Sequence, residues 1–133
     1  MSKEANLATV RSYLKSLEDG KTGAALAGFF ADDIVQIEHP NRLKPKGDRR
    51  DRSALSRDSQ VGAKIIARQH YDIVNALAED DRIAIEVRWE GTMAVDVGEL
   101  KAGVTLVVHS AMFFTFRDGK IATQHNFDCV EPF

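Results

Sequence analysis

The stretch "VTLVVHSAMFFTFRDGKIATQHNFDCV" runs from Val104 to Val130, and its reading decides the fold class. It reads as two long strands joined by a tight turn. Asp118-Gly119 is a strong hairpin signal, because both residue types tolerate the positive φ of a type I′ turn. The first strand, residues 104–116, is too apolar for one of its faces to be fully solvated. Two registers are open. If Asp118-Gly119 alone makes the loop, Arg117 pairs with Lys120 and His109 lies opposite Asp128. If Arg117 joins the loop, Phe116 pairs with Lys120, Val108 faces Asp128 and His109 points away. The first register segregates Phe114, Phe116 and Ile121 more cleanly.

Upstream, "RIAIEVRWEGTMAV" (82–95) carries the cleanest alternation in the chain. Ile83, Ile85, Val87 and Trp89 face one way; Arg82, Ala84, Glu86, Arg88 and Glu90 face the other. The acidic turn "AEDD" joins it to an earlier strand-like run, "RQHYDIVNAL" (68–77). The first half is different. Leu7, Val10, Leu14 and Leu17 recur at helical spacing, Tyr13 flanks that stripe, and Gly20 is a natural stop. Thr22 is expected to cap a second short helix carrying Leu26, Phe29 and Phe30. "IVQIE" (34–38) is a short strand closed by "HPN". Residues 41–52, "NRLKPKGDRRDR", read as a polar, basic loop. A third helix starts at Asp48 or Asp51 and ends near Lys64.

Helices followed by long antiparallel strands give an α+β expectation: a cone-shaped, strongly curved antiparallel sheet wrapped over three N-terminal helices. The open end of such a cone is a pocket. The 133 residues fit one domain, 1–133, with one core. A net charge of −2 argues against a bulk nucleic-acid or membrane-surface binder. No apolar run approaches the about 20 residues of a membrane span. "MSKEANLATV" shows no secretory h-region, so the expected compartment is the cytoplasm. The lone Cys129 leaves no internal disulfide and no Cys-rich zinc site, and reads as a small buried filler.

The order "Y…DG…FFADDIVQIEHP", then "FTFRDGKI…FD", resembles the nuclear-transport-factor-2-like superfamily, and within it the SnoaL-like polyketide cyclase and ketosteroid isomerase branches. The resemblance spans nearly the whole chain in element order. It implies a cystatin-like cone and a function among isomerases, cyclases, dehydratases, epoxide hydrolases and non-catalytic binding domains. It implies that Tyr13 matches the hydrogen-bonding tyrosine of ketosteroid isomerases. The base of those enzymes, an aspartate before a proline, falls at His39, beside Glu38. Their second acid falls near Met112, a departure that argues against a faithful ketosteroid isomerase. The last-strand acid of SnoaL-like cyclases corresponds to Asp128. The same comparison puts Met112, Phe114, Asn126 and Asp128 on the concave side, which goes with the three-residue loop.

The residues themselves carry matching chemistry. On an apolar concave wall, desolvation raises the pKa of Asp128 toward neutrality and makes it a general acid or base. At a frayed strand end it is a solvated or arginine-paired charge instead. Alternation through "IVQIEHP" lets only one of Glu38 and His39 face the pocket. Tyr13 is either a donor to a substrate oxygen or a rim residue reaching water. Trp89, Phe29, Met112, Phe114 and Asn126 are expected to line the pocket, with His109 joining them in the two-residue register. His125 and Asp128 stand three apart on a strand, on opposite faces, and cannot share an ion. No metal and no cofactor are expected. The basic run Lys44, Lys46, Arg49, Arg50 and Arg52 is either a solvated loop or a cationic mouth.

Two functions are expected. One is a cofactor-independent enzyme of isomerase, cyclase or dehydratase type acting on a small apolar carbonyl or polycyclic molecule. The other is a non-catalytic binding or dimerisation domain. A cavity of a few hundred cubic ångströms on which Asp128, Tyr13 and a histidine converge favours the first. A cone plugged by Phe29, Phe114 and Trp89 favours the second. The apolar outer face of the sheet is expected to be covered by a second copy of the chain.

Overall fold

Helix α1 (Lys3–Glu18) begins where the Ser2 hydroxyl accepts a hydrogen bond from Ala5 N at 3.1 Å. The computed structural model describes residues 2–133. One stripe of α1 is buried: Asn6, Val10, Tyr13 and Leu14. Asn6 Nδ2 donates to Asp80 O at 2.7 Å and so ties the helix to a strand turn far along the chain. Gly20 ends this segment at a φ of +76°.

The one-turn helix α2 (Ala24–Ala27) is not capped by Thr22 as expected. Gly23 holds the cap position at a φ of +53°, and its N–H donates to Ser59 Oγ at 3.0 Å. Phe30 leaves the helix and opens strand β1 (Phe30–Glu38). The polar run after it is only partly loop, because it contains strand β2 (Asp48–Arg50), which pairs antiparallel with the end of β1. Of the two expected caps, Asp51 starts helix α3 (Arg52–Ile65), accepting from Ala54 N at 2.9 Å. Helix α3 thus lies after two strands rather than among the N-terminal helices.

Strands β3 (Ile66–Glu79), β4 (Arg82–Met93), β5 (Thr105–Arg117) and β6 (Lys120–Val130) complete one sheet of order β2-β1-β6-β5-β4-β3. It is antiparallel except at β1–β6, which run parallel. Register shifts in β1–β6, β3–β4 and β5–β6 bend the strands, and the sheet is curved and unclosed. Alternation then assigns the faces. Leu106, Val108, Ser110, Met112, Phe114 and Phe116 of β5 are buried on the concave side. No helix among the described residues is long and apolar enough to cross a membrane.

Neither expected hairpin register holds along its whole length. The turn is the two-residue one: Asp118 and Gly119 have φ of +52° and +74°, and Arg117 pairs with Lys120. Phe116 then pairs with Ile121, but Thr115 pairs with Thr123. The extra residue, Ala122, is a bulge that slides β6 by one place. Asp128 therefore faces Ser110, and neither His109 nor Val108.

Candidate active site

The cone encloses two adjoining cavities. One, of about 250 Å³, lies between α1, α3 and the concave sheet, with Tyr13, Leu14, Leu26 and Leu55 on its walls. The other, of about 270 Å³, extends toward the 41–44 loop and is walled by Trp89, Val108, Lys44 and Asp128. Glu38, Tyr71, Met112 and Asn126 line both. Pockets for small ligands run from about 300 to 1,000 Å³, so the joined space suits a compact molecule.

Asp128 sits on β6 with its Oδ1 accepting from Ser110 Oγ at 2.6 Å. Burial pushes its pKa up, and the nearby Glu38 carboxylate adds to that; the Ser110 hydrogen bond, Arg50 and Lys44 partly oppose it. Tyr13 rises from the buried stripe of α1, its ring 5.4 Å from Phe30 and 5.6 Å from Phe29. Burial pushes its phenol up to about 12, against the opposing pull of Arg50 and a Gln36 hydrogen bond. Burial also pushes the phenol of Tyr71 up, with Tyr13 and Asp128 adding to the rise. Both phenols therefore stay protonated donors through the neutral range. Trp89 forms a wall, its Nε1 donating to Gln69 Oε1 at 2.9 Å. Its indole lies over Gly91, where an added Cβ would stand 2.2 Å from the ring.

A polar stripe crosses the concave face beneath these groups. Arg50, from β2, donates to Gln36 Oε1 at 2.5 Å, to Glu38 Oε1, and to Asp58 Oδ2 at 3.3 Å. Gln36 Nε2 donates to Gln124 Oε1, and Gln124 Nε2 to Asn126 Oδ1, each at 3.0 Å. Lys44 Nζ lies 2.9 Å from Asp48 and 3.5 Å from Glu38. The basic run is thus neither a free loop nor an open cationic mouth at these two positions, because carboxylates hold both cations. Among the described residues no three His, Cys, Asp or Glu side chains gather closely enough to hold an ion.

The sequence profile of the SnoaL-like domain matches residues 10–124. The chain belongs to the SnoaL-like domain family. Among curated proteins none matches it. AclR of Streptomyces galilaeus, provisionally named a hydroxylase, superposes on this SnoaL-like chain with a TM-score of 0.80 at 15% identity, over 98% of this chain and 83% of AclR. A protein of Xanthomonas campestris pv. campestris, provisionally named a polyketide cyclase, gives 0.76 at 25% identity over 95% and 91%. A Catenulispora acidiphila protein described as having a ketosteroid isomerase-like fold gives 0.70 at 21% identity over 90% and 83%.

Within the SnoaL-like cone, the expected site residues divide. Asp128, Tyr13, Glu38, Trp89, Met112 and Asn126 reach the cavities. Glu38 faces inward, so His39 faces outward. The His39 ring stacks on Phe127 at 4.1 Å, and its Nε2 lies 3.0 Å from His125 Nδ1. His109 is also on the outer face, with its Nε2 2.6 Å from Glu131 Oε2. No histidine joins Asp128 and Tyr13. Phe29 and Phe114 pack into the core cluster rather than onto the cavity walls. Cys129 is exposed, not a buried filler, because parity turns it to the outer face.

Sequence reasoning missed Tyr71, Ser110, Gln36 and Gln124. One signal was present: polar residues at alternate positions, Gln36 and Glu38, then Gln124, Asn126 and Asp128, mark one face of each strand. A period-two polar stripe on strands that are otherwise apolar is the mark of a lined pocket.

Proposed function

We propose that this chain is a cofactor-independent enzyme that moves a proton on a small, mainly apolar carbonyl or polycyclic substrate, of the isomerase, cyclase or dehydratase type. The observation that carries the reading is Asp128, a carboxylate of raised pKa on a cavity wall, with the Tyr71 phenol on the same cavity and Tyr13 on the adjoining one. Asp128 takes a proton from the carbon beside a carbonyl. The C–H pair becomes a C=C bond, and negative charge moves to the oxygen, which the Tyr13 O–H meets. Returning the proton to another carbon isomerises the substrate. Attack of the enolate carbon on a second carbonyl closes a ring. Loss of a β-hydroxyl, protonated by Asp128, releases water. The polyketide cyclase name of the Xanthomonas relative supports the ring-closing branch.

Glu38 acts here through its charge, raising the basicity of Asp128 while Arg50 and Lys44 hold it in place. His39, on the outer face, has no part in this scheme. Trp89 and Met112 shape the apolar walls. A thermal-shift screen of steroid-like, polyketide-like and small epoxide compounds finds the ligand class. Turnover of the hits by wild type and Asp128→Asn then tests the reading, and equal turnover would end it.

The second reading is a non-catalytic ligand-binding domain, favoured by Phe29 and Phe114 packing in the core and by Glu38 being saturated with cations. Under it the Ser110–Asp128 bond is structural, and Asp128→Asn binds every hit unchanged with no turnover in either protein.

The outer face supports a homodimer. Leu77, Phe113 and Phe127 are 67%, 50% and 43% exposed there. A depression of about 590 Å³ between Leu77, Ala84, Phe113, Thr115 and His125 gives a second copy apolar surface to cover. The cytoplasm completes the reading, since the exposed thiol of Cys129 stays reduced there.

A further inference from the structure

The amides of the concave face form one directed chain, and its direction has a single cause. A ladder of Gln and Asn side chains satisfies its hydrogen bonds equally well in either sense, because each amide has an oxygen at one corner and a nitrogen at the other. Arg50 breaks that tie. A guanidinium only donates. Its Nη2 lies 2.5 Å from Gln36, so the oxygen of that amide faces β2 and the nitrogen faces away. Gln36 Nε2 then donates to Gln124 Oε1, and Gln124 Nε2 to Asn126 Oδ1. Every amide gives its oxygen to the arginine side and passes its nitrogen onward. The last in line is Asn126, which borders both cavities with its Nδ2 still to give.

Resting on the acid–base reading above, we propose that Arg50, acting through Gln36 and Gln124, aims the Asn126 Nδ2–H donor into the cavity at a developing oxyanion, so that the site takes substrates whose reacting carbonyl becomes an enolate or phenolate oxygen. Asn126 is then a catalytic residue, and Arg50, Gln36 and Gln124 are positioning residues. The spacing suits the chemistry. Asn126 and Asp128 stand two residues apart on one face, about 7 Å along the strand. With about 3 Å from each group to its target, that span holds a carbonyl oxygen at Asn126 and the neighbouring C–H at Asp128. Reversed, the same chain would present Asn126 Oδ1, an acceptor that repels the developing charge.

The test uses 4-nitrophenol, whose absorbance reports its ionisation, and 4-nitrotoluene as its uncharged apolar counterpart. Wild type is expected to bind the phenol as phenolate and to lower its apparent pKa. Asn126→Leu removes the donor, and Gln124→Met cuts the relay without adding charge. Each is expected to weaken phenolate binding about tenfold or more, the scale of one hydrogen bond to a charged acceptor. Binding of 4-nitrotoluene is expected to stay within about twofold of wild type, which a merely structural role would not separate. An unchanged phenolate-to-nitrotoluene ratio in both variants overturns the proposal. Should both variants fail to fold, the side-chain ¹⁵N–¹H₂ signal of Asn126 in wild type decides: it shifts on phenolate binding, or the proposal fails. Asp128→Asn keeps or strengthens phenolate binding, so loss of the donor pocket and loss of the acid–base reading register in separate measurements.

Discussion

Ser110 Oγ donates a 2.6 Å hydrogen bond to Asp128 Oδ1 across the β5–β6 ladder, and the Ala122 bulge is what brings the two side chains opposite each other. The bond does two things. It orients the carboxylate, and it offsets part of the rise in pKa that burial imposes. Both effects lead to measurable consequences.

Asp128→Asn is expected to lower kcat/KM by about 10²- to 10⁴-fold, the usual contribution of a positioned general base. Its melting temperature at neutral pH is expected to match or exceed that of wild type. The folded pKa of Asp128 lies above its unfolded value, so its contribution to stability is fully present below the unfolded pKa and is lost as pH rises through the folded pKa. The amide removes that loss, and its oxygen still accepts from Ser110. Calorimetry beside a turnover assay checks both halves.

The base must be ionised to act, so kcat/KM is expected to rise with pH through the raised pKa of Asp128 and then level. Ser110→Ala withdraws a hydrogen bond that favours the carboxylate form, and the rising limb is expected to move to higher pH. Tyr13, whose phenol ionises only at about 12, adds no falling limb near neutrality. A pH–rate profile in which Ser110→Ala shifts the limb downward would contradict this account.

Arg50→Met is expected to destabilise the fold by on the order of 3 kcal/mol, because it strands the carboxylate of Glu38 and the oxygen of Gln36 with their main donor gone. The Arg50 and Glu38 side chains are only 13% and 17% exposed, so water makes poor compensation. The midpoint of urea unfolding measures it, and a change under about 0.5 kcal/mol would place the pair among inert surface bridges.

Phe113→Glu sets a charge in the middle of the apolar outer face, where Phe113 is half exposed and meets Phe127 edge-on at 5.8 Å. It is expected to convert a dimer to a monomer in light scattering after gel filtration, with secondary structure intact. A wild-type chain that already elutes as a monomer would remove the dimer from the reading.

Much of the fold was legible because its signals are local. Helical spacing marked α1, strict alternation marked β4, and a long, mostly apolar run marked the strand of 104–116. The three-residue strand β2 was not legible, since a Lys- and Arg-rich run has no alternation of its own and becomes a strand only by pairing with β1. The Gly23 cap escaped for a similar reason: its partner, Ser59, lies on another helix.

The site divides along the same line. Side-chain parity has a period of two residues, so the sequence alone determined that Asn126 shares a face with Asp128, that His125 does not, and that only one of Glu38 and His39 turns inward. Which residue stands across a ladder is not a local property. A single extra residue at Ala122 moved Ser110, rather than His109 or Val108, opposite Asp128. Chain closure over long separations brought Arg50 onto Gln36 and Glu38, and set Tyr71 of β3 on the wall of both cavities. Those contacts depend on bulges, on the parallel β1–β6 pairing and on the curvature they produce together, and only the tertiary structure decided them.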